Sequence, residues 1–161
     1  MATTHCHSPC FAPPIRGTGT RTPQTRATDD SLAAESPSLP RILIVEDDYL
    51  VASELEAALE DAGFAVIGVA RSAHEAVSLA KSERPQVAVV DVRLVGDHDG
   101  IDAALAMFKD LGIRSIFATA HSDEPTRQRA KAANPLGWVP KPYTPAQVVP
   151  LIRSYLAAKK D

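Results

Sequence analysis

Four short apolar runs in this sequence each end on a residue that could take part in chemistry. Ile42-Leu-Ile-Val45 is followed by Glu46-Asp47-Asp48, and Val87-Ala-Val-Val90 by Asp91. Ser115-Ile-Phe-Ala118 leads into Thr119-Ala120, and Leu136-Gly-Trp-Val139 leads through Pro140 into Lys141-Pro142. If the runs are parallel strands, one edge of the sheet gathers several carboxylates, a hydroxyl and an ammonium around a small crevice. In open parallel sheets the region just beyond the C-terminal strand ends is where ligands bind. Carboxylates packed this way repel: two charges ~4 Å apart cost about 4 kcal/mol at an effective dielectric of 20. Either one is protonated or a cation sits among them. An all-oxygen donor set suits Mg2+ best. Such a metal can hold a phosphoryl group against a carboxylate, and a carboxylate is an adequate nucleophile for its transfer. Lys141 would then pair with one phosphoryl oxygen and Thr119 would donate to another. Taken singly, each residue has an ordinary explanation: a helix cap, a strand-end hydroxyl, a solvated lysine. Taken together, they serve one reaction.

The elements that must place these residues are visible in the hydropathy pattern from Arg41 onward. A fifth run, Ala65-Val-Ile-Gly-Val-Ala70, joins the four already named. None shows polar alternation, which predicts strands buried on both faces, as in a parallel sheet. Amphipathic segments lie between them. Val51, Leu55, Ala58, Leu59 and Ala62 share one helical face, with Gly63 placed to end that helix. Ser72 with Glu75 gives a capping signature ahead of Ala73, Ala76, Val77 and Ala80. Ile101, Ala104, Leu105 and Phe108 make a third face closed by Gly112, and a short polar helix is predicted from Pro125 to Ala132. The last helix opens at Thr144, with Pro145 in its first turn, Gln147 completing the cap and Pro150 inside it. Five strands alternating with five helices form a (βα)5 unit of the α/β class. Right-handed crossovers then put helices on both faces. Two strand orders are common for such sheets, and periodicity does not choose between them.

Residues Arg41 to Ala157 resemble the receiver domain of bacterial response regulators. The landmarks are Glu46-Asp47-Asp48, Asp91, Asp99-Gly100, Phe117-Ala118-Thr119-Ala120 and Val139-Pro140-Lys141-Pro142-Tyr143. Each string alone is common; all of them in this order and spacing are specific. The resemblance implies the flavodoxin-like strand order 2-1-3-4-5. It implies Mg2+ held by Asp47 or Asp48, by Asp91 and by the backbone carbonyl of Arg93, with Asp48 the more direct ligand and Asp47 acting through water. Asp91 would be the phospho-acceptor, taking its group from a histidine kinase or a histidine phosphotransfer protein. Thr119 and Lys141 would read the phosphoryl group, the Lys141-Pro142 peptide would be cis, and Trp138 would stand at the position of the family's switching aromatic. The loop from Val92 to Gly100 lacks the usual Met-Pro and is one residue longer, as in a subset of receivers. Phe117-Ala118-Thr119 is similar to a motif of stand-alone receivers, with Ala120 in place of their glycine.

Other classes fit less well. A phosphatase of the haloacid-dehalogenase type needs an acid two residues after its nucleophile, where Arg93 stands. A flavin binder needs a phosphate cradle after the first strand, and Glu46-Asp47-Asp48 would repel a phosphate. No Gly-x4-Gly-Lys-Ser/Thr string occurs. The remaining alternative is a degenerate receiver that binds partners without being phosphorylated. On the first reading the chain is not a stand-alone enzyme, and it catalyses only its own phosphorylation and slow dephosphorylation.

The ends of the chain read differently. Residues 1–40 hold six of the 13 prolines, seven threonines and a single aromatic residue, Phe11, without apolar periodicity. This is expected to be a disordered tail, with the receiver over 41–158 and a short end at 159–161. Cys6 and Cys10, with His5 and His7, could in principle ligate a metal. Four ligands so close in sequence can hardly surround one tetrahedral ion, so a ligand-rich end is the plainer reading. With only Lys159-Lys160-Asp161 after the last helix, no output domain is expected. The signal would leave through a downstream protein target or a homodimer, on the face made by the fourth helix, fifth strand and fifth helix. A net charge of −3, 45% apolar residues and no signal segment fit a cytoplasmic protein with neither nucleic acid nor membrane among its partners.

Overall fold

The structure, a computed structural model, describes residues 38–120 and 123–159. The expected tail up to residue 37, the His5-Cys6-His7-Cys10 cluster and the two terminal residues lie outside that range. Within it the elements alternate strictly. They are β1 (Arg41–Val45), α1 (Tyr49–Asp61), β2 (Ala65–Ala70), α2 (Ala73–Glu83), β3 (Val87–Asp91) and α3 (Gly100–Leu111). There follow β4 (Arg114–Thr119), α4 (Glu124–Ala130), a 3-10 turn (Lys131–Ala133), β5 (Gly137–Pro140) and α5 (Pro145–Ala158). All strand pairs are parallel, and the order is β2-β1-β3-β4-β5. No described helix is long and apolar enough to cross a membrane.

The strand pleat sorts side chains onto two cores. Ile42, Ile44, Val87, Val89 and Ile116 face α1 and α5, where Leu55, Leu59, Val148 and Ile152 cover them. Leu43, Val45, Ala88, Val90 and Phe117 face the other side, packed by the alanine-rich surfaces of α2 and α3. Small alanines let these helices approach the sheet closely, which is how a chain with 5% aromatic residues can fill its core. The expectation of strands buried on both faces holds for β1, β3 and β4. It fails for β2, whose residues are half-buried except Ala70, and for most of β5. Both are edge strands with one neighbour each, so part of their surface stays open to water.

Local chemistry sets the helix ends. Ser72 Oγ accepts from the Glu75 N–H at 3.2 Å, while Glu75 reaches back to the Arg71 N–H rather than to that of Ser72. Gln147 reaches back to accept from the Thr144 N–H at 2.9 Å, as expected of it, with Pro145 in the first turn and Pro150 inside α5. Gly112 closes α3 in the left-handed conformation, at φ 69°, which costs an L side chain steric strain and glycine none. Gly100 has a different function. A Cβ built there would lie 1.8 Å from the Asp91 carbonyl oxygen, so only glycine lets α3 start against the end of β3.

Candidate functional site

The register brings the singled-out strand ends level with one another. Val45 pairs with Val90 and Asp91 with Ala118, so Glu46 comes abreast of Asp91 across the β1–β3 ladder. Thr119 pairs with Pro140, and the Lys141 N–H donates to the Thr119 carbonyl at 2.9 Å. Glu46, Asp91 and Thr119 are all buried. Lys141 is drawn in over them. Its Nζ donates to Glu46 Oε2 at 2.5 Å and to Asp91 Oδ2 at 2.7 Å. The Lys141–Pro142 peptide is cis.

Carboxylate oxygens of Glu46, Asp47 and Asp91 lie within 4.8 Å of one another, a grouping that could hold a metal ion. The acids gathered here are Glu46 and Asp47 with Asp91, whereas the resemblance implied Asp47 or Asp48 with Asp91. Asp48 is exposed and is the N-cap of α1, where its Oδ1 accepts from Leu50 N at 2.9 Å and Val51 N at 3.3 Å. A carboxylate aimed at the first turn of its own helix satisfies orphan amides and complements the helix dipole. Asp48 is not among the acids gathered around Asp91. Glu46, two residues earlier in the chain, is buried beside Lys141 and Asp91. The string alone does not say which acid is the cap, because an apolar face that begins at Val51 fits a helix start one residue either way.

The electrostatics show a strained group of acids held by one ammonium. Burial pushes the Glu46 carboxyl above its ordinary value and the Asp91 charge adds to this, while Lys141 works in the opposite direction. Burial alone would lower the Lys141 ammonium. Its hydrogen bonds and charge contacts with Asp91 and Glu46 outweigh that and hold it above its ordinary value. Tyr143, half-buried near the same acids, has its hydroxyl pushed well up by desolvation and by the Glu46 and Asp91 charges. An all-carboxylate set, two of its acids buried and one half-buried, is the donor chemistry of a hard divalent cation of the Mg2+ kind.

The remaining candidates fall around this centre. The Arg93 N–H donates to Asp91 Oδ1 at 3.1 Å, and its side chain is exposed. Trp138 is half-buried. Its ring stacks on Phe117 with centroids 4.7 Å apart, and the Arg127 guanidinium lies 5.2 Å over it. Asp99 caps α3 by a capping box with Asp102, and the Gly100 N–H donates to the Val92 carbonyl at 3.0 Å. Beside Lys141, a cavity of about 410 Å³ opens between α1 and the β5–α5 junction, lined by Val51, Leu55, Ala120 and Tyr143 among others. The role of Gly100 against Asp91 was not readable from the string, since it depends on a tertiary approach.

Comparison with known proteins agrees with this geometry. Residues 42–153 match the family described as Response regulator receiver domain. The phyllosphere-induced regulator PhyR of Methylorubrum extorquens is 38% identical over 117 residues, which is 71% of this chain and 43% of that protein. The transcriptional regulatory protein PdtaR of Mycobacterium tuberculosis is 31% identical over 112 residues, 70% of this chain and 54% of that one. The chain thus spans about half the length of these curated relatives. Among solved structures, the signal receiver domain of a modulated diguanylate cyclase from Desulfovibrio desulfuricans superposes with a TM-score of 0.71 at 38% identity, over 76% of this chain and 98% of that one. With five parallel strands in the order 2-1-3-4-5 and a match over most of its length, the chain belongs to the response regulator receiver family of two-component signalling.

Proposed function

We propose that Asp91 accepts a phosphoryl group from a histidine kinase or a histidine phosphotransfer protein, in a Mg2+-dependent reaction. The observation that carries this is the contact of Lys141 Nζ with Asp91 Oδ2 at 2.7 Å, beside the Glu46–Asp47–Asp91 acid group at the C-terminal edge of the sheet. Glu46, Asp47 and Asp91, with the backbone carbonyl of Arg93, are the groups that would hold the ion. When bound, the cation neutralises the acids and the charge that develops on the transferring phosphoryl oxygens.

The side chains divide the remaining work. An Asp91 carboxylate oxygen attacks phosphorus and the donor's phosphorus–nitrogen bond breaks, its electron pair staying on the imidazole. Lys141 moves from the free carboxylate to a phosphoryl oxygen, keeping its Glu46 contact. The Thr119 hydroxyl, at the end of β4, donates to another phosphoryl oxygen. Water later hydrolyses the acyl phosphate to carboxylate and inorganic phosphate. Thr119 leads directly into the segment before α4, so its movement favours one of two pre-existing arrangements of that side of the molecule. The output is a protein contact on the α4-β5-α5 face, with a target or a second copy.

Incubation with Mg2+ and acetyl phosphate tests the proposal. The intact mass gains one phosphoryl group, and Asp91→Ala gains none. No gain in the folded wild-type chain, from acetyl phosphate or a phosphorylated histidine phosphotransfer donor, contradicts it.

A further inference from the structure

Helix α4 is short and polar. Of Glu124–Ala130 only Ala130 is buried, so little apolar contact fixes where the helix lies. Two arginines tie it to its neighbours instead. Arg127 lies over Trp138, and Arg129 forks onto the first turn of α3. Its Nη1 donates to Asp99 Oδ2 at 2.9 Å, and its Nη2 reaches Asp99 Oδ1 at 3.3 Å and Asp102 Oδ1 at 3.4 Å. These two acids form the α3 capping box. The far end of the contact is rigid relative to Asp91, because Gly100 packs against the Asp91 carbonyl and donates to Val92. The near end has less to hold it, since Ala130 alone of α4 is buried.

We propose that Arg129 is a positioning residue for the phosphoryl site, a latch that ties α4 to the Asp91-bound end of α3 and resists the movement of the Thr119 segment. This rests on the reading of Asp91 as phospho-acceptor. A shift of α4 that follows Thr119 must stretch or break the Arg129 fork, since α3 cannot follow without leaving the Asp91 backbone. Removing the fork therefore favours the shifted arrangement. By reciprocity of coupling it also favours the phosphorylated site that prefers that arrangement. The side chains of Arg129, Asp99 and Asp102 are 54%, 30% and 39% exposed, so the effect is that of a screened ion pair, a few-fold rather than orders of magnitude.

The single tryptophan, Trp138, reports on the same helix through Arg127. The test compares wild type, Arg129→Gln and Arg129→Lys in acetyl phosphate and Mg2+, following Asp91 phosphorylation by intact mass and Trp138 emission in parallel. Arg129→Gln takes up the phosphoryl group about two- to five-fold faster. Before phosphorylation its emission already lies toward the value that wild type reaches afterwards, and Arg129→Lys falls between the two. Raising salt from about 0.05 M to about 0.5 M brings wild type toward the variant, because screening weakens the fork. Equal rates and equal salt responses in chains that all become phosphorylated overturn the latch and leave the Asp91 assignment intact. If no chain becomes phosphorylated, the assignment falls and the latch falls with it.

Discussion

Glu46 and Asp48 stand two residues apart and face different problems. Glu46 is buried against Asp91 and Lys141, whereas Asp48 is exposed and spends its oxygen on the first amides of α1. Glu46→Gln removes a charge from the proposed ion site and should weaken Mg2+ binding by about tenfold or more, since affinity follows ligand charge. Asp48→Asn keeps a good cap and should leave Mg2+ binding within about two-fold. Tryptophan fluorescence titrated with MgCl2 reads both, and the reverse ranking would restore Asp48 to the site. Lys141→Met should slow phosphorylation of Asp91 by about 10²-fold, the size of losing one preorganised positive group at the developing charge; initial rates with acetyl phosphate check this. The acid string, Asp91, Thr119 and Lys141 were legible as residues of one site because each closes an apolar run. Which of three consecutive acids turns inward was not, because it depends on where the strand stops and the helix starts, and that boundary shifts by a residue without changing the pattern.

At the scale of elements, caps and strand ends did most of the positioning, and these were readable where the motif is local. Ser72 with Glu75, Thr144 with Gln147 and the glycines after α1 and α3 all stand at the helix ends expected of them. The partial exposure of β2 and β5 was not readable, because an apolar run looks the same at a sheet edge and at its centre. Gly100 belongs here too, as a packing requirement between α3 and β3. Gly100→Ala forces a methyl group into the Asp91 carbonyl and should cost at least the ~1–3 kcal/mol typical of overpacking. Urea denaturation with and without Mg2+ measures it. A cost below about 0.5 kcal/mol would mean that α3 can lift away from Asp91, and would weaken the rigid link on which the Arg129 latch depends.

For the whole molecule, the order β2-β1-β3-β4-β5 puts β1 and β3 side by side at the centre, and with them Glu46 and Asp91. Periodicity alone left that order open, since alternating strands and helices suit more than one winding. The resemblance of the landmark strings supplied it. The same order sends β4 and β5 outward from Asp91, so Thr119 and Lys141 link the acid centre to α4, Trp138 and α5. A charge change at one strand end can then be felt on one face of the molecule.

Reductive trapping shows whether Asp91 carries the phosphoryl group. After acetyl phosphate and Mg2+, borohydride converts an aspartyl phosphate to homoserine, and peptide sequencing by mass spectrometry locates it. Homoserine is expected at position 91, dependent on Mg2+ and absent when the cation is chelated. Homoserine at Asp47, Asp48 or elsewhere, or none in a chain that binds Mg2+, would contradict the Asp91 assignment.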